Sequence, residues 1–369
     1  MRRTITLLLA YALLFFTALG ADQAYADEAG NYSNARQPST SKSADLNIHF
    51  PELGNRYTGD CVYINYGNID ILIDAGSRIS SAITIKAYID NYIQDNKLEY
   101  VIATHGHRDH IAGFVSSPAI TGIFESYEIE TLIDFPMTNS DSYVYHNYVA
   151  ARGKLIENGT AHYTALQCYR NEGKARRIHD LGNGVKLEIL YNYFYENPSH
   201  SENNYSVVAR IIQDGMQYLF TGDLETEAED LLVDYYEAHY GGLGHCILYK
   251  ASHHGSNTSG GEKLMAAISP KYICVCACAG THEYGALPPN IFPSQGFIDR
   301  AAPYTDRIYI TTLITDYQNN KFTPFNGNIV FRVSQGIVSI KCSNNDLKLK
   351  DSEWFLANRQ MPEAWKSRN

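Results

Sequence analysis

Basic residues are the scarcer charge in this chain of 369 residues. There are 30 Lys and Arg against 40 Asp and Glu, for a formal net charge of -10. Broad capture of nucleic acid by its phosphates needs the opposite balance and is disfavoured, although a local basic groove is not. Tryptophan is down to 2 residues, while tyrosine, at 29, supplies most of the aromatic surface. The 7 cysteines are too scattered for a disulfide scaffold, and an odd count leaves at least one thiol without a partner in the chain. Cys274, Cys276 and Cys278 alternate with Val275 and Ala277. Period two places them on one face of a strand, a poor spacing for tetrahedral zinc, so they read as small core residues. No glycine-rich nucleotide loop and no internal repeat is present. Long apolar runs are missing apart from Thr4 to Leu19, which is too short for a confident membrane span.

That run follows Arg2 and Arg3 and precedes Ala24-Tyr25-Ala26, the basic, apolar and small-x-small order of a secretory signal peptide. Residues 1–26 are therefore expected to be removed. The remainder would be secreted, periplasmic or held at the cell envelope, with no stable span after processing. An uncleaved anchor is the alternative. The first cysteine is Cys61, which disfavours lipid attachment near the cleavage point. Residues 27–47, rich in Ser, Asn, Asp and Ala, read as a disordered linker. A single hydrolase-sized domain is expected over residues 48–342, followed by a charged tail, 343–369, without clear structure.

Within the domain, Cys61–Tyr66 and Ile69–Asp74 alternate as two strands around a Gly67-Asn68 hairpin turn. Ser80–Gln94 follows as a helix, with Ile85, Ile89 and Ile93 on one face. Tyr100–Ala103 is a buried strand, and it delivers Thr104-His105-Gly106-His107-Arg108-Asp109-His110. Three histidines and an aspartate on a turn at the carboxyl end of a strand suit a catalytic metal site, because a rigid frame holds the ligands open to solvent. Imidazole nitrogen with carboxylate oxygen fits zinc, manganese or iron. Two later strands end in Thr221-Gly222-Asp223 and in Ser252-His253-His254-Gly255-Ser256. His146, His162 and His179 stand alone on poorly patterned stretches and read as surface or core residues.

The first turn matches the His-x-His-x-Asp-His signature of the metallo-β-lactamase fold. Asn203-Asn204-Tyr205-Ser206-Val207-Val208, Thr221-Gly222-Asp223 and Lys250-Ala251-Ser252-His253-His254-Gly255-Ser256 resemble the hydrolase domain of the ComEC/Rec2 competence proteins and the related phosphorylcholine esterases. The resemblance runs from about Arg56 to Lys341. It implies an α/β fold, the four-layer αββα sandwich. It also implies two divalent ions, zinc first and manganese second, and attack by a hydroxide bridging them. His105, His107 and Asp223 would hold one ion; Asp109, His110, Asp223 and His253 would hold the other. Asp109 and His254 would serve catalysis, with Ser256 or Thr258 stabilising developing charge. Asp74 either orients a histidine or caps a turn. His200 is the only local candidate for a third histidine at the first ion. The family's Asn-x-Tyr-Gly-His-Pro segment is changed here to Gly280-Thr281-His282-Glu283-Tyr284-Gly285-Ala286, which puts the substrate in doubt, and His282 could take over substrate contact. The expected activity is phosphodiester hydrolysis of nucleic acid or an envelope polymer. A lactonase or β-lactamase-type hydrolase is the alternative, and a non-catalytic envelope-binding module with a vestigial site is the alternative from another class. No protein partner is evident.

Overall fold

The computed structural model describes residues 44–366 apart from 317 and 320. The expected signal peptide and nearly all of the expected linker lie outside the described residues. Six strands come first: β1 (Leu46–Phe50), β2 (Val62–Tyr66), β3 (Ile69–Ile73), β4 (Lys97–Ala103), β5 (Glu128–Asp134) and β6 (Ala161–Thr164). Eight follow: β7 (Ile178–Gly182), β8 (Val185–Ile189), β9 (Ala209–Gln213), β10 (Met216–Phe220), β11 (Leu248–Lys250), β12 (Tyr272–Ala279), β13 (Ile308–Asp316) and β14 (Lys321–Pro324). The chain then returns with β15 (Ile329–Ser334) and β16 (Ile337–Cys342). The first sheet has the order β16-β15-β1-β2-β3-β4-β5-β6, and the second β14-β13-β12-β11-β10-β9-β8-β7. Both sheets are mixed. β3, β4, β5 and β6 run parallel, as do β10, β11, β12 and β13.

Alternation along β12 shows how the layers are built. Cys274 and Cys276 share a buried cluster with the first sheet and the inner face of the second; Val275 and Ala277 share another with the helices Thr226–Tyr240, Glu262–Ile268 and Gln295–Ala301. Phe331 of β15 touches Tyr272 and Tyr309 of the second sheet, with ring centroids 5.7 and 6.4 Å apart. The sheets therefore face each other with helices outside, and the architecture is the expected αββα sandwich. All seven cysteines are free.

The element boundaries differ from expectation in three places. The helix over Ser80–Gln94 is shorter, Ser81–Ile89, although Ile85 and Ile89 are fully buried as the spacing predicts. Among the described residues the first strand begins at Leu46, inside the expected linker, where β1 fills the gap between β15 and β2. The tail is not structureless. Ser352 caps the helix Glu353–Asn358 through Phe355 N–H at 3.1 Å, and Leu349, Phe355 and Trp365 complete the second apolar cluster. The Trp365 indole N–H donates to the Thr305 carbonyl at 2.9 Å. Three widely spaced apolar residues make no periodic pattern, yet each buried one adds about 1.5–3 kcal/mol.

Candidate metal centre

The ligand-bearing turns follow β3, β4, β10 and β11, all at the carboxyl ends of strands that have a parallel neighbour. Open sheets of this kind collect ligand-binding loops there. Gly222 shows how tightly the turns meet. It has φ +54, and a Cβ on it would lie 2.7 Å from Ser206 Oγ and 2.9 Å from Thr104 Cβ. Only glycine meets both the left-handed backbone and the close approach.

Asp109, His110, Asp223 and His254 offer ligand atoms within 4.8 Å of one another. His110 Nε2 is 3.1 Å from Asp223 Oδ2, and His254 Nε2 is 3.3 Å from that oxygen and 3.4 Å from Asp109 Oδ2. Both Asp223 oxygens, His110 Nε2 and His254 Nε2 are buried without a hydrogen-bond partner. Buried carboxylate oxygens left in this way are costly unless a cation joins them. Imidazole nitrogens and carboxylate oxygens form a donor set that a divalent ion of the zinc or manganese type takes, so these residues fit a metal.

The tautomers follow from the outer contacts. His110 Nδ1 lies 2.7 Å from Asp74 Oδ2, and His254 Nδ1 lies 2.9 Å from the Cys276 carbonyl. These oxygens only accept, so each Nδ1 carries the hydrogen and each Nε2 faces the cluster. Asp74 therefore orients a histidine. It also accepts from Thr104 N–H and from Thr104 Oγ1, both at 2.8 Å, from a left-handed backbone at φ +60. Burial alone would depress the His110 and His254 pKa values. The carboxylates of Asp223 and Asp74 around His110, and of Asp223 and Asp60 around His254, outweigh it and hold both well above the ordinary value. Without a metal, protons supply the positive charge the cluster needs.

His105 and His107 form a second pair beside the first set. His105 Nε2 is 3.0 Å from His107 Nδ1, and the His105 and His110 rings are 4.1 Å apart. His105 Nδ1 is turned away by Thr104 Oγ1 at 3.2 Å and Ser206 Oγ at 3.3 Å. The buried Glu202 accepts from Gly106 N–H at 2.8 Å and so holds the turn between the two histidines. His200 is exposed and outside this group.

His254, rather than the expected His253, lies among the candidate ligand atoms. The backbone takes φ +46 at His253 and +55 at His254, turning the second ring inward. His254 is fully buried among the ligand atoms. His253 remains 17% exposed with Nε2 4.0 Å from Asp223 Oδ2, near Asn203 Nδ2 and Thr258 Oγ1, each 3.5 Å from its Nδ1. Two consecutive left-handed residues cost of order 1–3 kcal/mol each and persist only when the surroundings impose them. The His253 N–H donates to the Gly222 carbonyl at 3.2 Å, the Ser256 N–H to the His253 carbonyl at 2.8 Å, and His254 Nδ1 to the Cys276 carbonyl; further along, Glu229 accepts from Gly260 N–H at 2.9 Å and Gly261 N–H at 2.7 Å. Arg300 donates to the Asn257, Ser259 and Gly260 carbonyls at 2.7 to 3.0 Å.

Sequence reasoning gave no role to Asp60, Lys250 or Tyr284. Asp60 Oδ1 stands 3.0 Å from His254 Nδ1. Lys250, 1% exposed, is ion-paired to Asp60 Oδ2, lies 3.6 Å from Asp223 Oδ1 and donates to the Gly222 carbonyl at 3.1 Å. Tyr284 O–H donates to Asp109 Oδ2 at 2.7 Å, with its ring 5.2 Å from Phe292. A lysine at the end of an apolar strand is the one signal that pointed here. His146, His162 and His179 lie elsewhere: the first two pair with Asp141 and Asp134 at 2.8 Å, and the third packs on Tyr100.

Two facing mixed sheets carry these turns, and residues 54–123 match the family model of the Metallo-beta-lactamase superfamily. Among curated proteins, the chain is similar to Competence protein ComA of Neisseria gonorrhoeae, 38% identical over 89 residues, which is 24% of this chain and 12% of that protein. It is also similar to ComE operon protein 3 of Bacillus subtilis, 33% identical over 117 residues, 30% of this chain and 14% of that protein. Those matches thus span under a sixth of either relative's length. A solved metallo-beta-lactamase fold protein of Bacillus subtilis, YhfI, aligns with 79% of this chain and 100% of its own at 11% identity and a TM-score of 0.44. Among the described residues no helix is long and apolar enough to cross a membrane.

Proposed function

We propose that this chain is an exported, metal-dependent hydrolase of phosphodiesters. The observation that carries the reading is the set of buried, unpartnered atoms of Asp223, His110 and His254 converging with Asp109 beside the His105–His107 pair. Asp109, His110, Asp223 and His254 would hold one ion, and His105 and His107, with Asp223 shared, the other. Divalent ions in such a set supply Lewis acidity and a water that ionises near neutral pH.

The chain's own groups then bind and orient the substrate. His253, largely buried but reaching the mouth, hydrogen-bonds a substrate oxygen through Nε2, while Asn203 and Thr258 fix its ring from behind. Thr258 Oγ1, also 3.3 Å from Glu225 Oε1, is the hydroxyl nearest that face. Tyr284 holds Asp109 in orientation, and with Phe292 it forms an aromatic wall over His254. Hydrolysis adds water across the P–O bond, and the leaving oxygen takes a proton. The fold hosts several hydrolytic chemistries, so the substrate class must be measured. The test is hydrolysis of bis(p-nitrophenyl) phosphate by metal-reconstituted protein lacking residues 1–26, with Asp109→Ala beside it and metal content measured on both. Activity lost in the variant supports the reading. Full metal loading without phosphodiesterase activity sinks it and directs the search to lactones and lactams.

A further inference from the structure

Next to the ligand cluster lies a rim of guanidinium groups that the hydrolytic reading leaves unused. Arg78 Nη2 is 3.1 Å from Glu283 Oε1, and Arg108 Nη2 is 3.9 Å from the same oxygen. The Arg78 guanidinium lies 3.6 Å over the Tyr57 ring, and that of Arg56 lies 5.2 Å from it. Glu283 is pinned from the other side by Thr58 N–H at 2.8 Å. Two links join this rim to the metal centre. Arg108 directly precedes Asp109 in the ligand turn, and Tyr284, beside Glu283, donates to Asp109.

The charges here run against the rest of the chain. Two arginines meet the Glu283 carboxylate and a third, Arg56, lies against the Tyr57 ring beside them, in a protein whose formal net charge is -10. The Glu52 carboxylate accepts from Thr312 Oγ1 at 2.9 Å. The Tyr57 phenol senses the excess: hydrogen bonding to Arg56 first, then the Arg56 and Arg78 charges, lower its pKa. The Arg108 side chain is 56% exposed while that of Glu283 is 13% exposed, so the open edge of the rim is cationic. Arg78 covers the Tyr57 ring, so the rim presents charge and hydrogen-bond donors, Arg108 most openly. A planar fork of N–H donors matches a phosphate.

We propose that Arg56, Arg78 and Arg108 form a subsite for a second, anionic phosphate of the substrate, one unit away from the phosphodiester that is hydrolysed. The inference rests on the phosphodiesterase reading and deepens it: the preferred substrate carries repeated phosphates. A small isolated diester fills only the metal centre.

The test is a ratio. kcat/KM is measured on the metal-reconstituted protein for a dithymidine phosphodiester with and without a 5′-phosphate, and for a glycerol phosphodiester with and without a terminal phosphate. Charge-assisted contacts of this kind correspond to about a 10- to 100-fold preference for the phosphorylated form. In Arg78→Gln/Arg108→Gln, and to a lesser degree in Arg108→Gln alone, the ratio falls to about one; effects on the common chemical step cancel in it. Circular dichroism and metal content verify that the variants fold. A preference in both arms means the phosphate alone is read; a preference in one arm supports the subsite and names the backbone it serves. No preference in the native protein in either arm, or a preference that survives in the double variant, overturns the subsite. If no diester is hydrolysed, the hydrolase reading has failed, and the subsite is decided by the same ratio taken as calorimetric affinities.

Discussion

Asp60→Asn tests whether a buried ion pair builds the metal centre. Lys250 is buried and has two carboxylates, Asp60 in direct contact and Asp223 Oδ1 at 3.6 Å. Removing the Asp60 charge strands the ammonium on Asp223. At an effective dielectric of about 20, an ammonium and a carboxylate 3.6 Å apart attract by about 4–5 kcal/mol. That attraction limits the loss of stability to the low end of what breaking a buried pair costs, about 3 kcal/mol. It also ties up the oxygens that the metal needs, while His254 loses the charge beside its Nδ1. Loss of outer support of this sort weakens metal affinity by about 10- to 100-fold. Lys250→Met in the same chain removes the competitor, so the double variant regains most of both losses. The assays are urea unfolding of the metal-free protein and competition for zinc against a chelating dye. A double variant whose losses equal the sum of the two singles would refute the reasoning, because it would show that the pair does not act as a unit.

Metal affinity should rise with pH. His110 and His254 are held protonated by their carboxylates, so an ion must displace those protons, and proton uptake on metal removal should be seen in weakly buffered solution. The slope is about one to two logarithmic units of affinity per pH unit, and a pH-independent affinity between pH 6 and 8 would contradict it. His49 is buried among Tyr63, Tyr88 and Tyr92, and burial pushes its pKa down to about 3. The unfolded chain binds the proton first, so this stability is full above the unfolded value of about 6.5 and is lost as pH falls towards 3, by about 1.4 kcal/mol per unit. His49→Phe should therefore lose less stability than the native chain between pH 7.5 and pH 5, by about 2 kcal/mol in urea midpoints converted to free energy. Trp365→Ala removes a nearly fully buried indole and its bond to Thr305 and should cost about 3–5 kcal/mol in the same assay; an unchanged midpoint would return the tail to the role of an appendage.

Much of this fold could be read in the chain because its strands obey simple periods. The Gly67-Asn68 hairpin, the buried run into Ala103 and the alternating cysteines of β12 all lie where their patterns put them. β1 was hidden because Leu46 and Ile48 adjoin a polar stretch, and only the partner strands from the two ends of the chain give them a face to cover. At the site, His105, His107, Asp109 and His110 come close together because one turn carries them, and Asp223 meets them from the turn after β10. That His254 rather than His253 lies among the ligand atoms was not legible, because adjacent histidines look alike in a sequence, and the left-handed turn that carries both is held by Gly222 and Cys276 from other elements. Asp60 and Lys250 escaped for the same reason: their meaning lies in a contact between residues far apart in sequence.

The most direct measurement is the metal content of the reconstituted native protein beside His254→Ala and His253→Ala, by mass spectrometry after dialysis. Two ions per chain in the native protein and in His253→Ala, with one lost in His254→Ala, is the predicted result. A native protein that retains no metal, or a loss in His253→Ala alone, would contradict the assignment of the site.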